Sequence, residues 1–220
     1  GLVGSEMCIR DSHESQSRFY ENIIGRSRAF CGVIYPWLRE HFAPRLDDVS
    51  PEDFYRMINK AQPSLIRTEA DELTYCLHIM VRYELERRMF AGELTAHDLP
   101  AEWNRLYKAY LGVDVPNDRE GILQDSHWAN GNIGYFPSYA IGSAYGAQYL
   151  RQMQKDFDVS AAVATGRLTQ INCWLEEKIW KYGCMKDPTP LFESVCGPFD
   201  PTCYLSLIHI SEPTRPLYIS

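Results

Sequence analysis

The stretch Ile66-Arg-Thr-Glu-Ala-Asp-Glu-Leu-Thr-Tyr-Cys-Leu-His-Ile-Met-Val-Arg-Tyr-Glu-Leu-Glu-Arg-Arg-Met89 decides the fold class. Ile66, Ala70, Leu73, Leu77, Met80, Val81, Glu84, Leu85 and Met89 follow the i, i+3, i+4, i+7 spacing of one helical face, and Gly92 is placed to end the helix. The opposite, polar face is expected to carry Arg82, Glu86, Arg87 and Arg88. A strand alternates with a period of two, so this segment reads as helix.

Outward from it the same period recurs. A helix is expected from Asp98, with Pro100 in its first turn, burying Trp103, Leu106, Tyr107, Tyr110 and Leu111 before Gly112. Further helices are expected over residues 13–33, 51–60, 139–157 and 160–182, and Pro188 and Pro190 open a short last one. Residues 43–50 and 112–118 are turn-rich connectors. No strand alternation, internal repeat or low-complexity linker stands out, so the expected architecture is mainly α, a multi-helix single domain.

Composition sets the outer limits. A chain of 220 residues with 45% hydrophobic and 23% charged residues is long enough to bury one sizeable core. A net charge of -7 argues against a nucleic-acid groove or an anionic membrane as the main partner. No apolar run approaches the roughly 20 residues that span a bilayer, and no secretory signal is evident at the start. The 7 cysteines are scattered without CxxC spacing, and Cys31, Cys76 and Cys173 fall inside helical patterns. They read as reduced thiols of a cytoplasmic protein.

The ends do not share this pattern. Residues 1–12 and 205–220 lack a coherent amphipathic period, and SEMCIRDS (residues 5–12) and SLIHISEPTR (206–215) resemble peptides translated from sequencing-adapter sequence. The native segment is therefore expected to run from His13 to Tyr204.

Chemistry concentrates in Gly121-Ile-Leu-Gln-Asp-Ser-His-Trp128 and the following Gly131-Asn-Ile-Gly-Tyr-Phe-Pro-Ser-Tyr139. Asp, Gln and His are costly to bury without partners, so this aromatic, glycine-containing stretch points to a site. Two other motifs stand out: His13-Glu-Ser-Gln-Ser17 and Ile66-Arg-Thr-Glu-Ala-Asp71. Each has a plainer explanation. Glu14 suits a helix start, and Arg67 and Asp71, four apart, suit an intrahelical ion pair worth a few tenths of a kcal/mol. His127 suits a hydrogen-bonded core histidine, and Tyr135, Phe136 and Tyr139 suit packing around Pro137.

In this order along a helical chain, HESQS, IRTEAD, GILQDSHW and GYFPSY, with the later KYG and GPFDP, resemble the carboxypeptidase Taq family of zinc metallocarboxypeptidases. The resemblance covers residues 13–204. It implies an all-helical peptidase with a deep cleft, one zinc ion bound by Glu14 and by two histidines of an HExxH helix, peptide substrates with a free C-terminus, and a homodimer. The histidines here are His13, His41, His78, His97, His127 and His209, and none lies in HExxH. In the family that helix precedes the HES motif, so the chain is expected to be a C-terminal fragment, inactive alone.

The remaining residues suit such chemistry. A tetrahedral oxyanion needs donors, each worth about 3 kcal/mol, and His127 and Tyr135 are the candidates. Arginine's planar fork matches a terminal carboxylate, which makes Arg67 the candidate reader of the substrate, with Asp71 holding its guanidinium. Asp125 is expected to orient a histidine or a metal ligand, and Gln124 to contribute to substrate binding. Gly131 and Gly134 are expected to let the loop backbone approach the substrate. Glu14, Arg67, His127 and Tyr135 are expected to share one cleft. The alternatives are a related helical zinc oligopeptidase or dipeptidase, and a non-catalytic helical interaction module.

Overall fold

The computed structural model describes residues 5–211, with side chains for 12–208. Ten α-helices and no strand occur among the described residues: α1 (Ser5–Arg18), α2 (Arg28–His41), α3 (Pro51–Ile58), α4 (Glu72–Phe90), α5 (Leu99–Leu111), α6 (Pro137–Met153), α7 (Val159–Ala164), α8 (Leu168–Lys178), α9 (Pro188–Cys196) and α10 (Thr202–Ser211). They belong to two compact units, residues 5–60 with 141–211, and Ala61–Ala140. The division falls within α6.

Local chemistry sets the breaks. Residues 13–33, expected as one helix, pass through a π-helical turn over Phe19–Ile24 and restart at Arg28, where the Ser27 hydroxyl accepts from the Phe30 N–H. α2 then carries Pro36 inside it and continues to His41, past the expected end at Val33. The expected helix over 160–182 is divided at Gly166 (φ +71°), which lies between α7 and α8. The limits of α5 match their expectation: it spans Leu99–Leu111, holds Pro100 in its first turn, and ends at Gly112 in the left-handed region (φ 71°), but Tyr110, expected to be buried, is only half-buried. α1 starts at Ser5, ahead of the expected His13, because residues 5–12 contain no glycine or proline to stop the helix from running on. Residues 1–4 and 212–220 of the two ends lie outside the described residues.

In the unit of residues 5–60 and 141–211, the core gathers Phe19, Ile24, Tyr145, Tyr149, Met153, Ile171, Trp174, Leu175 and Phe192. Tyr145 stacks on Phe192 with centroids 3.9 Å apart. Two glycines of α6 let α1 and the π turn come close. A Cβ at Gly142 would sit 2.9 Å from the Glu14 carbonyl carbon, and one at Gly146 would sit 3.3 Å from Ile23 Cδ1. Arg18 Nε donates to Ser143 Oγ at 3.0 Å across the same contact.

In the unit Ala61–Ala140, α4 is buried on two sides. Val81 and Leu85 pack with Leu99, Trp103, Leu106, Tyr107 and Leu111, whereas Tyr75 and Ile79 pack with Ala70 and Phe136. The expected polar face is thereby corrected: Arg82 is fully buried and Glu86 is 4% exposed, while Leu73 and Met80 are exposed. A charged side chain survives in such a place only with partners, and those partners form the candidate site.

Candidate functional site

Helix α4 begins later than its apolar period suggests. Arg67–Glu69 form a short 3-10 turn, and Asp71 is the N-cap of α4, accepting from the Thr74 N–H (2.9 Å), the Thr74 hydroxyl (2.8 Å) and the Gln62 N–H (2.9 Å). Arg67 and Asp71 therefore do not share a helical face. Asp71 is committed to the cap and does not hold the guanidinium, contrary to expectation.

Asp125 holds it instead. Arg67 Nη2 donates to Asp125 Oδ1 at 2.7 Å, and Nε donates to both carboxylate oxygens at 3.1 and 3.3 Å. On the other side, Arg82 Nε donates to Asp125 Oδ2 at 2.7 Å. One carboxylate thus serves two buried cations. Burial pushes the Asp125 carboxyl up, but the Arg67 hydrogen bonds and the nearby Arg82 charge outweigh it and hold it below the usual carboxylate range. Burial likewise works against a charged Arg67, and the bonds to Asp125 overcome that and raise its pKa.

Gln124, itself uncharged, joins the same two arginines. Its Oε1 accepts from the Arg67 backbone N–H and from Arg82 Nη2, both at 2.9 Å. Its Nε2 donates to the carbonyls of Leu65 (3.0 Å) and Glu120 (2.9 Å). The Gln-Asp pair of the loop is therefore the polar complement of two arginines. Aromatic rings pack on the same cations: the Arg67 guanidinium lies 4.9 Å from the Tyr139 ring centre, and that of Arg82 lies 4.6 Å from Trp103 of α5 and 5.2 Å from Phe136.

Arg67 is not fully consumed. Asp125 takes the edge formed by Nε and Nη2, and the Tyr75 hydroxyl accepts from Nη1 at 2.9 Å. A guanidinium has five N–H groups, so one on each terminal nitrogen is left among the described residues.

His127 and Tyr135 lie in this cluster. The His127 ring centre is 5.4 Å from that of Tyr135 and 4.5 Å from that of Phe136. His127 Nε2 is 3.0 Å from the Tyr139 hydroxyl, and Nδ1 is 4.0 Å from Asp125 Oδ1. Asp125 is thus near the histidine, as expected, but its direct bonds go to arginines. Gly131 (φ 74°) and Gly134 (φ 73°) are required by their left-handed backbone. No described atom lies within 4 Å of a Cβ built at either glycine, so crowding plays no part.

Behind the arginines sits His78, fully buried. Its Nδ1 is 3.0 Å from the Tyr107 hydroxyl, which itself lies 3.1 Å from the Leu65 carbonyl. With the Tyr107 proton given to Leu65, His78 donates from Nδ1, and Nε2 has no partner among the described residues. Burial first, then the Arg82 and Arg67 charges, push its pKa down to about 4, so it is neutral near pH 7.

Glu14 belongs to the other unit. Its Oε2 accepts from Ser17 Oγ at 3.0 Å, and its backbone and Cβ lie against Gly142. Among the described residues no group of three or more His, Cys, Asp or Glu side chains is placed to hold a metal ion. A catalytic zinc site takes three protein ligands, so these residues do not assemble one alone.

Arg82, Glu86, Tyr75, Tyr139 and His78 were not singled out as site residues by the sequence. The available signal was the spacing Tyr75, His78, Arg82, Glu86, one polar stripe along α4 facing a loop rich in acceptors.

Residues 2–211 match the sequence profile of the carboxypeptidase Taq (M32) metallopeptidase family. Carboxypeptidase 1 of Bacillus subtilis is 46% identical over 195 residues, which are 88% of this chain and 38% of that protein. Among solved structures, a Pyrococcus furiosus carboxypeptidase superposes with a TM-score of 0.88 at 41% identity, covering 92% of this chain and 41% of the other. The M32 carboxypeptidase of Deinococcus radiodurans R1 gives 0.87 at 38% identity, covering 92% and 41%. The chain thus spans under half the length of the relatives it matches.

Proposed function

The chain belongs to the carboxypeptidase Taq (M32) metallopeptidase family, and from that premise we propose that it forms the substrate-facing part of a metallocarboxypeptidase that releases C-terminal residues from peptides. The observation that carries this reading is the Arg67-Asp125-Arg82 network with His127 and Tyr135 beside it. The Nη1/Nη2 edge of Arg67, opposite the edge taken by Asp125, meets the substrate's terminal carboxylate. Asp125 fixes the plane of that guanidinium and Gln124 holds the backbone it projects from, so little side-chain entropy is lost on binding. Asp71 contributes indirectly, by setting where α4 begins behind Arg67.

His127 and Tyr135 donate to the oxygen of the attacked carbonyl as it gains charge. A donor in that position lowers the barrier by about 3 kcal/mol, and the surrounding rings of Phe136 and Tyr139 exclude the water that would weaken it. Glu14 supplies one charged oxygen ligand to the metal, and zinc is the ion proposed. When bound, that ion supplies Lewis-acid polarisation and an activated water. The whole protein is proposed to be cytoplasmic and homodimeric, and this chain inactive by itself.

The test is to recover the coding sequence upstream of His13 and assay the longer protein. An HExxH segment, tight zinc binding and hydrolysis of blocked dipeptides with a free C-terminus are expected. Stoichiometric zinc and robust turnover by the 220-residue chain alone would overturn the assignment of the ligands.

A further inference from the structure

We infer that Glu86 is a positioning residue, a carboxylate on α4 that clamps both ends of the segment carrying His127 and Tyr135. Glu86 is 4% exposed, near the C-terminal end of α4. One of its oxygens accepts from the Trp128 indole N–H at 2.6 Å and from the Gly134 backbone N–H at 3.1 Å. Trp128 directly follows His127, and Gly134 directly precedes Tyr135. A single atom therefore ties together the two points of the chain from which the candidate donors project.

The intervening residues need such a tie. They form a turn closed by its own bonds, Asn132 N–H to the His127 carbonyl (2.8 Å) and Gly131 N–H to the Trp128 carbonyl (3.0 Å), and both Gly131 within it and Gly134 at its end are left-handed. Those bonds shape the turn, but none anchors it to a helix. Glu86 does, and α4 is also the helix that carries Arg82 and so Asp125 and Arg67. The Trp128 ring, edge-on to Trp103 at 6.2 Å and to Phe136 at 6.0 Å, fills the space beside the anchor. An apolar residue at position 86 would leave two half-buried N–H groups without their acceptor, so the loop would move to find water. Glutamine keeps an acceptor and loses the charge.

The inference rests on the reading of His127 and Tyr135 as donors, and the test separates the two. In the 220-residue chain, Glu86→Gln is expected to shift the Trp128 indole and Gly134 amide resonances in 1H–15N spectra while leaving those of α5 in place. Glu86→Leu is expected to shift them further and to move the His127 and Tyr135 signals as well. Unmoved His127 and Tyr135 signals in a folded Glu86→Leu chain would overturn the clamp. If that variant fails to fold, Trp128 and Gly134 signals unchanged in Glu86→Gln do so instead. In the longer, active protein, Glu86→Leu should lower kcat about tenfold or more with KM held, because small misplacements near reacting atoms are expensive, and Glu86→Gln should restore most of it. Should His127→Phe and Tyr135→Phe leave kcat intact, the donor reading fails, and the spectra still decide the clamp.

Discussion

Replacing Asp125 with Asn removes one negative charge from between two guanidiniums and leaves the side-chain shape almost unchanged. Arg82 is fully buried and cannot turn to water for compensation, and Arg67, 5% exposed, can do so only through the edge left for substrate. Breaking a buried ion pair by removing one partner costs about 3–5 kcal/mol. Here the carboxylate accepts three bonds from Arg67 and one from Arg82, all lost or weakened together. The asparagine oxygen keeps one acceptor, but its amide N–H groups then face donors. A loss of about 3–5 kcal/mol is expected, and for a chain of this size it lowers Tm by roughly 6–20 °C. Urea unfolding and thermal melts followed by circular dichroism read it directly. The control is Asp114→Asn, in an exposed pair with Lys108 at 2.7 Å, which should leave the midpoint in place. Adding Arg82→Met to Asp125→Asn removes the stranded cation and should recover part of the loss. A drop under about 1 kcal/mol for Asp125→Asn would refute the view that this carboxylate holds both arginines in place.

Three further outcomes are expected. His78, held to about 4 when folded, binds a proton in the unfolded chain below its ordinary value of 6.5. Its contribution is therefore complete above about pH 6.5 and is lost as pH falls towards 4, by up to about 3 kcal/mol, so urea midpoints should fall faster over that window in the parent than in His78→Gln. Gly142→Ala places a methyl 2.9 Å from the backbone of Glu14 and Ser15, and unfolding measurements should show a loss of about 1–3 kcal/mol, whereas a neutral result would mean that α1 and α6 can separate freely. Trp103→Ala removes a ring that is 1% exposed and stacked at 4.9 Å on Tyr107, which should cost about 3–5 kcal/mol by the same assay.

Much of the fold was legible because helical periods are local. The α5 boundaries follow from Pro100 and Gly112, and the end of α4 from Gly92 (φ 73°). Where separate helices were merged, the signals were Ser27 as a cap and Gly166 as a break, each outweighed by apolar residues continuing in phase on both sides. The polar loop Gly121–Trp128 reads as too costly for a plain core segment, and in the structure Gln124, Asp125, His127, Tyr135 and Arg67 lie near one another. The missing half was Arg82 and Glu86. Charged residues on a helix with many apolar neighbours read as its solvent face, and only a partner supplied from some 40 residues away reverses that, as Asp125 does for Arg82 and Trp128 for Glu86. Asp71 was misplaced for a related reason: four-residue spacing from Arg67 implies contact only if the helix has already begun, and a capping aspartate marks the point where it begins.

In the proposed function, Arg67 reads the substrate's terminal carboxylate. Comparing hydrolysis of a blocked dipeptide with a free C-terminus and of its C-terminal amide by the longer protein, before and after Arg67→Met, tests it most directly. A hydrogen bond to a charged group is worth about 1.5–3 kcal/mol, so the parent should prefer the free acid by roughly 10- to 150-fold in kcat/KM, and the variant should lose that preference. Equal turnover of acid and amide by the parent, or a preference that survives in Arg67→Met, would contradict it.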